Sequence, residues 1–388
     1  MNNFETIIDF GSKNLRIGVF DQDSKNIYSS KKKIVNDLEN LTLDDSLNTL
    51  IRDAEKYLST HIDDVIVLYD SPKFYSLDIS IKKVFDHGTS IKKVYYNLIE
   101  EAHFFISQNN FKDQIIHLVV NNILVDNHKE LDRIIEDIKI KSLTLEIKFI
   151  CISRSLFDIV SKLFKKNNLR ILNLYCSSYV KAFYYKKKLG VKENIIFLDI
   201  GFERTSGLIF NNSKFEFFKS VPFGGNNITK DISKILNLNL DYSEDLKIKF
   251  NEIEKKTIFS KNDVNKINPF FKTLEKNISI DLLKQIIEAR IDEIIQLVLS
   301  KSDTIKNLNS SVKPKLVIIG GGSQLLMNNY KLNINKSVSE LTRFDGNVAN
   351  ICEAGLNYNK CDESSFIKDK KKIDKSGFFE RFFNLFSK

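Results

Sequence analysis

The apolar positions divide the chain into short strands and amphipathic helices. Residues 4–10 and 15–20 are apolar runs on either side of Gly11-Ser-Lys-Asn14 and predict a β-hairpin. Residues 44–60 carry Leu47, Leu50, Ile51, Ala54 and Leu58 at helical spacing, and 65–69 then read as a buried strand. From about 70 to 151 the texture changes to a polar strand region, a helix at 90–107, a strand at 115–120, a polar connection and a strand at 142–150. That block predicts a small α+β insert. Helices follow at 153–166 (Leu156, Ile159, Val160, Leu163, Phe164) and 177–187, then a second strand–turn–strand at 195–199 and 206–210. Beyond Gly224 and Gly225 the pattern is helical and lysine-rich to about 310, with a strongly periodic helix at 281–299. Residues 315–319 predict a buried strand of parallel type that runs into Gly320-Gly-Gly-Ser323.

The two predicted hairpins share a pattern. Ile7-Ile-Asp9-Phe-Gly11 and Phe197-Leu-Asp199-Ile-Gly201 both read apolar–apolar–Asp–apolar–Gly, which predicts a duplicated half-molecule. The last thirteen residues, 376–388, form a different object: Phe378, Phe379, Phe382, Phe383 and Phe386 gather on one face at about 100° per residue. The charged stretch 368–375 ahead of them predicts a solvated tether. An aromatic helix behind a basic tether fits a membrane interface, the alternative being a terminal helix docked on the body.

Composition adds limits. Asn, Lys, Ile and Phe are abundant and Trp is absent, so the net charge of +9 is partly compositional. The basic residues are spread among acids, without a dense stripe carrying stacking aromatics, so no nucleic-acid partner is expected. Cys151, Cys176, Cys352 and Cys361 lack metal-ligand spacing and predict reduced thiols, and no metal site is expected from the protein alone. The chain opens almost at once on a strand, so no leader is expected. No apolar run approaches the roughly 20 residues of a spanning helix. His61, His87, His103, His117 and His128 form no paired motif, and no nucleophile motif is present, so no catalytic residue is nominated.

A strand ending in Asp-x-Gly, a tight turn and a returning strand place a carboxylate beside backbone N–H groups that suit phosphate. Asp9, Gly11, Ser12 and Asn14 are the candidates in the first hairpin, and Asp199, Gly201 and Thr205 in the second. Gly320, Gly321, Gly322 and Ser323 would face the α-phosphate or ribose. Asp9 and Asp199 would hold a hydrated Mg²⁺ between the phosphates of ATP.

With these elements in order, the chain resembles the actin/Hsp70/sugar-kinase superfamily, and within it the FtsA family of bacterial cell division. Val221-Pro-Phe-Gly-Gly-Asn-Asn-Ile-Thr-Lys-Asp-Ile232 with Tyr242-Ser-Glu-Asp-Leu-Lys247, Ser177-Ser-Tyr179, Glu353-Ala-Gly-Leu356 and the aromatic tail all resemble that family, and Gly224 and Gly225 join the nucleotide candidates. The resemblance implies an α/β, actin-like two-domain (ribonuclease-H-like) fold with four subdomains and a C-terminal amphipathic helix. Residues 1–69, 152–190 and 346–362 would form subdomain 1A, 70–151 the inserted 1C, 191–225 and 312–345 subdomain 2A, and 226–311 subdomain 2B. A charged linker, 363–375, would precede the membrane-targeting helix 376–388. It implies polymerisation, capture of the FtsZ C-terminal peptide by 2B, recruitment of later division proteins by 1C, and a place on the cytoplasmic side of the inner membrane at the division site.

The chain departs from the family's loops. The first usually carries Lys where Asn14 stands, with Lys13 one place early and expected to point away. The second usually reads D-x-G-G-G-T-T, where this chain has Asp199-Ile-Gly-Phe-Glu-Arg-Thr205. Glu203 would repel a γ-phosphate unless Arg204 turned inward. ATP binding without efficient hydrolysis is therefore expected. Arg290 is a candidate for the base or ribose. The alternatives are a PilM-type pilus-assembly adaptor and a sugar-kinase or Hsp70-like ATPase.

A single helix this short anchors weakly, so attachment should rise steeply with protein concentration as copies assemble. Replacing Phe379 and Phe383 with Gln should abolish sedimentation with anionic vesicles. Tight, non-cooperative binding by a monomer contradicts this.

Overall fold

The computed structural model describes residues 4–34, 41–110, 112–131, 134, 137–190, 194–212, 214–259, 280–299, 313–325, 340–344 and 347–361. The aromatic tail, including Phe378, Phe379, Phe382, Phe383 and Phe386, and the charged linker lie outside these residues.

The first half is a five-stranded sheet, β3-β2-β1-β4-β9. It comprises β1 (Phe4–Phe10), β2 (Asn14–Asp21), β3 (Asn26–Lys33), β4 (Asp64–Tyr69) and β9 (Arg170–Cys176). β1 to β3 form an antiparallel meander, and β4 and β9 continue the sheet in parallel from β1. The second half repeats the order as β12-β11-β10-β13-β14. These strands are β10 (Ile195–Ile200), β11 (Thr205–Asn211), β12 (Lys214–Val221), β13 (Lys315–Ile319) and β14 (Glu340–Arg343). The repeated Asp-x-Gly pattern therefore marks corresponding corners of two like sheets.

The insert forms its own sheet, β5-β8-β6-β7. Its strands are β5 (Tyr75–Ser90), β6 (Asp113–Val125), β7 (Lys129–Leu131) and β8 (Lys139–Ser153). One face is covered by α2 (Ile91–Asn109), which buries Ile91, Val94, Leu98, Ile99, Ala102 and Ile106. β3 and β7 were not expected from the sequence. β3 alternates half-buried and exposed positions, with Lys31 and Lys33 outward, so it lacks an apolar run.

The remaining helices are α1 (Leu41–Leu58), α3 (Arg154–Lys166), α4 (Ser177–Leu189), α5 (Gly225–Leu236), α6 (Leu240–Phe259), α7 (Ile280–Leu299) and α8 (Val348–Asn359). In α7 the predicted apolar stripe is buried from Leu283 to Leu299, with Leu282 left half-exposed. In α3 Val160 and Phe164 are buried while Ile159 is exposed, so its buried face is narrower than the pattern implied. One core spans both halves: Ile7, Val67 and Leu174 belong to the same cluster as Phe197, Leu208 and Val317. Residues 177–182 at the start of α4 are all buried. A second core lies on the other face of the second sheet, against α5 and α7. Among the described residues no helix is long and apolar enough to cross a membrane.

His117 of β6 joins the insert to the first half. The Cys176 N–H donates to its Nε2 at 2.8 Å, so Nδ1 carries the proton and donates to the Tyr358 hydroxyl at 2.9 Å. Tyr175, Tyr179 and Tyr358 pack around the ring. Burial pushes the imidazole down to about 3 from 6.5. The folded protein thus holds it neutral while the unfolded chain takes up a proton below pH 6.5, so stability is complete above 6.5 and declines as pH falls toward 3. Between pH 6.5 and 5.5 the protein should lose about 1 kcal/mol more than a His117→Asn variant in urea unfolding. Equal losses would refute the assignment.

Candidate functional site

Three strands end in carboxylates at one place. Asp9 and Asp199 each sit one residue from the end of their strands, β1 and β10, and Asp70 follows β4. All three line a cleft of about 540 Å³ between the two halves. A cleft beyond the carboxyl ends of parallel strands is where open α/β sheets bind ligands. Of the residues nominated from sequence, Asp9, Gly11, Ser12, Asn14, Asp199, Gly201, Gly225, Gly320, Gly321 and Gly322 line this cleft.

The two hairpin turns match locally. Gly11 N–H donates to the Asn14 carbonyl at 3.2 Å, and Gly201 N–H to the Arg204 carbonyl at 2.8 Å. Arg204 therefore holds the turn position of Asn14. Antiparallel register sets Asp9 opposite Arg16 and Asp199 opposite Ser206. Gly320 has φ +87°, and a Cβ there would come within 2.5 Å of Asp199 Oδ1. Only glycine allows the third turn to close on the carboxylate.

Each aspartate is already bound by a cation and a hydroxyl. Arg16 Nη1 donates to Asp9 Oδ2 at 2.6 Å, and Ser177 Oγ to Oδ1 at 2.9 Å. Arg204 Nη2 bonds both Asp70 and Asp199, the latter at 2.8 Å. Lys181 lies 2.5 Å from Asp199 and 3.7 Å from Asp70. Ser178 Oγ reaches Asp70 at 2.9 Å and Asp199 at 3.0 Å. Burial pushes the Arg204 guanidinium down to about 9, against the pull of Asp9, so it stays cationic at neutral pH. Of the oxygens on these three aspartates, Asp199 Oδ1 is the one buried without a hydrogen-bond partner.

At the mouth, Lys13 of the first turn crosses to Glu244 of α6. Lys247 reaches Glu244 at 2.5 Å, Thr229 at 2.7 Å and the Gly225 carbonyl at 2.9 Å. Burial alone would raise the Glu244 carboxyl, but Lys247 and hydrogen bonds from Lys13, Lys247 and Thr229 hold it below its ordinary value. Burial lowers the Lys247 ammonium in turn. Both lysines stand over the Phe202 ring, at 4.7 and 5.4 Å from its centroid. Lys13 thus faces the cleft, contrary to the sequence expectation, because it lies in the turn where strand alternation does not apply. Arg204 turns inward, and Glu203 is exposed and outside the cleft lining.

Four nominated residues lie off the cleft lining. Thr205 is fully buried and donates to the Phe223 carbonyl at 2.8 Å. Gly224 supports the second turn: a Cβ there would meet Gly201 O at 2.6 Å and Phe202 O at 2.7 Å. The first amides of α5 point the same way, Gly225 N to Gly201 O and Asn226 N to Phe202 O, at 2.9 and 2.7 Å. Ser323 Oγ turns to the Phe344 carbonyl at 3.4 Å, in a single 3-10 turn, Gly321–Leu325. Arg290 is not among the residues that line the cleft. It bonds Asp231 at 2.5 and 2.9 Å and Glu293 at 2.5 Å, tying α7 to α5.

Sequence reasoning missed Asp70, Arg16, Lys181, Lys247 and Glu244. Arg16 had a usable signal, since a four-residue hairpin turn fixes it opposite Asp9. Asp70 and Lys181 have none, because their roles arise only where β4, α4 and β10 meet.

The cleft's size, glycine turns and surplus of lining cations, six against four carboxylates, suit a polyanion such as ATP. They do not suit Mg²⁺ held by Asp9 and Asp199. Each Asp9 oxygen already accepts a bond, from Arg16 or Ser177, Asp199 Oδ2 is held by Arg204 and Lys181, and Asp199 Oδ1 is sealed, so a metal ion there would sit among three protein cations.

Residues 196–345 match the family model described as cell division protein FtsA. The chain is 28% identical over 152 residues to the cell division protein FtsA of Buchnera aphidicola subsp. Baizongia pistaciae, covering 36% of this chain and 34% of that one. It is 30% identical over 142 residues to that of subsp. Acyrthosiphon pisum, covering 34% and 32%. The matched stretch is therefore about a third of the length of these curated relatives. Among solved structures, a PilM–PilN type IV pilus biogenesis complex aligns with TM-score 0.57 at 14% identity, over 91% of this chain and 98% of that one. MreB 5 of Spiroplasma citri bound to AMPPNP aligns with TM-score 0.50 at 11% identity, over 96% and 99%. The fold is the actin-like one, and over residues 196–345 the chain is similar to FtsA.

Asp70 neutralises two buried cations, so Asp70→Ala should lower stability in urea unfolding by about 3–5 kcal/mol. Combining it with Arg204→Met should cost clearly less than the two single changes summed. Simple additivity would mean that the ion pair carries no coupling.

Proposed function

We propose that this chain is an actin-like, ATP-binding cell-division protein that polymerises and tethers the tubulin-like FtsZ ring to the cytoplasmic face of the inner membrane. The observation that carries the reading is the placement of two matching Asp-x-Gly hairpins and the Gly320 turn around one cationic cleft, within a chain whose residues 196–345 match FtsA. Nucleotide binding is further supported by the AMPPNP bound to the actin-like MreB 5 neighbour. The nucleotide serves as a structural and polymerisation ligand rather than a rapidly turned-over substrate. The second turn spends its Gly201 amide on the Arg204 carbonyl and replaces two glycines with Phe202 and Glu203, leaving no evident γ-phosphate cradle.

In this reading 226–311 receives the FtsZ C-terminal peptide, the insert 70–151 takes part in self-association and recruits later division proteins, and 376–388 anchors the assembly. Many weak anchors on one polymer give strong attachment. A pilus-assembly adaptor is the second reading, favoured by the likeness to the PilM–PilN complex. The aromatic tail and the Gly224–Asp231 segment favour the division protein.

Co-sedimentation with anionic vesicles tests the choice, using the full chain and a version ending at Lys375, each with a fluorescent FtsZ C-terminal peptide. The full chain should pellet with the peptide, and the truncated one should leave both in solution. A peptide that stays in solution with the full chain, while a PilN-type N-terminal peptide binds, would reverse the assignment.

A further inference from the structure

We propose that the cleft binds the phosphates of a nucleoside triphosphate without a divalent metal, its own cations doing the neutralising. The proposal rests on the nucleotide-cleft reading above. A metal site at the floor would need carboxylate oxygens with free lone pairs facing the cleft. Each Asp9 oxygen already accepts one bond, from Arg16 or Ser177, so a cation held there would lie against the Arg16 guanidinium, and Asp70 gives its two oxygens to Arg204 and Ser178. Asp199 Oδ2 accepts from Arg204, Lys181 and Ser178. The oxygen left over, Asp199 Oδ1, lies against Gly320, where even a Cβ would be 2.5 Å away.

Adding a divalent cation would place it beside Arg204 and Lys181, at 6% and 7% exposure, where little solvent screens the repulsion. The floor is balanced without it: Arg16, Lys181 and Arg204 face Asp9, Asp70 and Asp199. The mouth is not balanced. Lys13 and Lys247 share the one carboxylate of Glu244, and both hover over Phe202. An entering phosphate oxygen can take a hydrogen bond from a further N–H of Lys13 and replace Glu244 as an acceptor of Lys247, while Glu244 keeps its bond from Thr229. Lys13 belongs to the first half and Lys247 to the second, so one polyphosphate would link both across the cleft.

Isothermal titration of ATP into the full chain, in excess EDTA and in excess Mg²⁺, tests this, with inorganic triphosphate as a second probe. Affinity should agree between the two conditions within about threefold, and Lys13→Ala with Lys247→Ala should weaken binding at least about tenfold in both. Circular dichroism of the double variant checks that it remains folded. Loss of tenfold or more in EDTA, about 1.4 kcal/mol, would overturn the proposal while leaving the nucleotide cleft intact. Absence of binding in both conditions would overturn the cleft reading itself, and equal binding by the double variant would remove the lysines from the site. Arg204→Asn, which copies the first turn's Asn14, supplies a converse arm: once Asp70 and Asp199 lose that cation, Mg²⁺ should strengthen ATP binding. An unchanged metal response in that variant would also count against the proposal.

Discussion

Three buried carboxylates at the ends of β1, β4 and β10 set the terms for the rest of the molecule. Isolated, each would be a costly charge in a region shielded from water, and the structure answers with three cations of matching number. Those cations come from different elements. Arg16 arrives by hairpin register, Arg204 by the second turn and Lys181 by the first turns of α4. The same α4 supplies Ser177 and Ser178 to the remaining oxygens. The helix must therefore start where the two halves meet, and its buried first six residues form part of the core they share. Neutralising the cleft floor and joining the halves are one structural task.

The duplication was legible because it is written locally. An apolar run, an aspartate, a glycine and a returning apolar run specify a hairpin without help from the rest of the chain. The insert, the helix Ile280–Leu299 and the parallel strand Lys315–Ile319 were legible for the same reason. The cleft was legible as glycines and aspartates, but not as charges. Lys181 is one of nine Lys, Arg, Asp or Glu in residues 181–204, and only the approach of α4 to β10 singles it out. Arg290 is the converse case. A lone arginine on a periodic helix invited a ligand role, and a nearer acid, Asp231, claims it.

Phe202 illustrates how a departure from a loop pattern can be structural rather than decay. In place of a small residue, its ring receives Lys13 from one side of the cleft and Lys247 from α6. The loop has exchanged backbone amides for a cation platform. A backbone cradle discriminates the geometry of a developing γ-phosphate, whereas lysine ammonium groups act mainly as point charges. The exchange therefore favours holding a polyphosphate over cleaving it.

Sequence likeness covers about a third of the chain, while the fold likeness extends over more than nine-tenths of it. The gap follows from what each requires. Layered sheets and helices accept many apolar sequences of similar volume, so the fold persists where identity has faded. A function cannot be read from that persistence and must come from the cleft. There, a ligand that bridges Lys13 and Lys247 gains affinity only in the arrangement that brings the halves together. Its binding free energy then stabilises that arrangement by mass action, with no bond broken. On the proposed function, a nucleotide can thus govern assembly without being turned over rapidly.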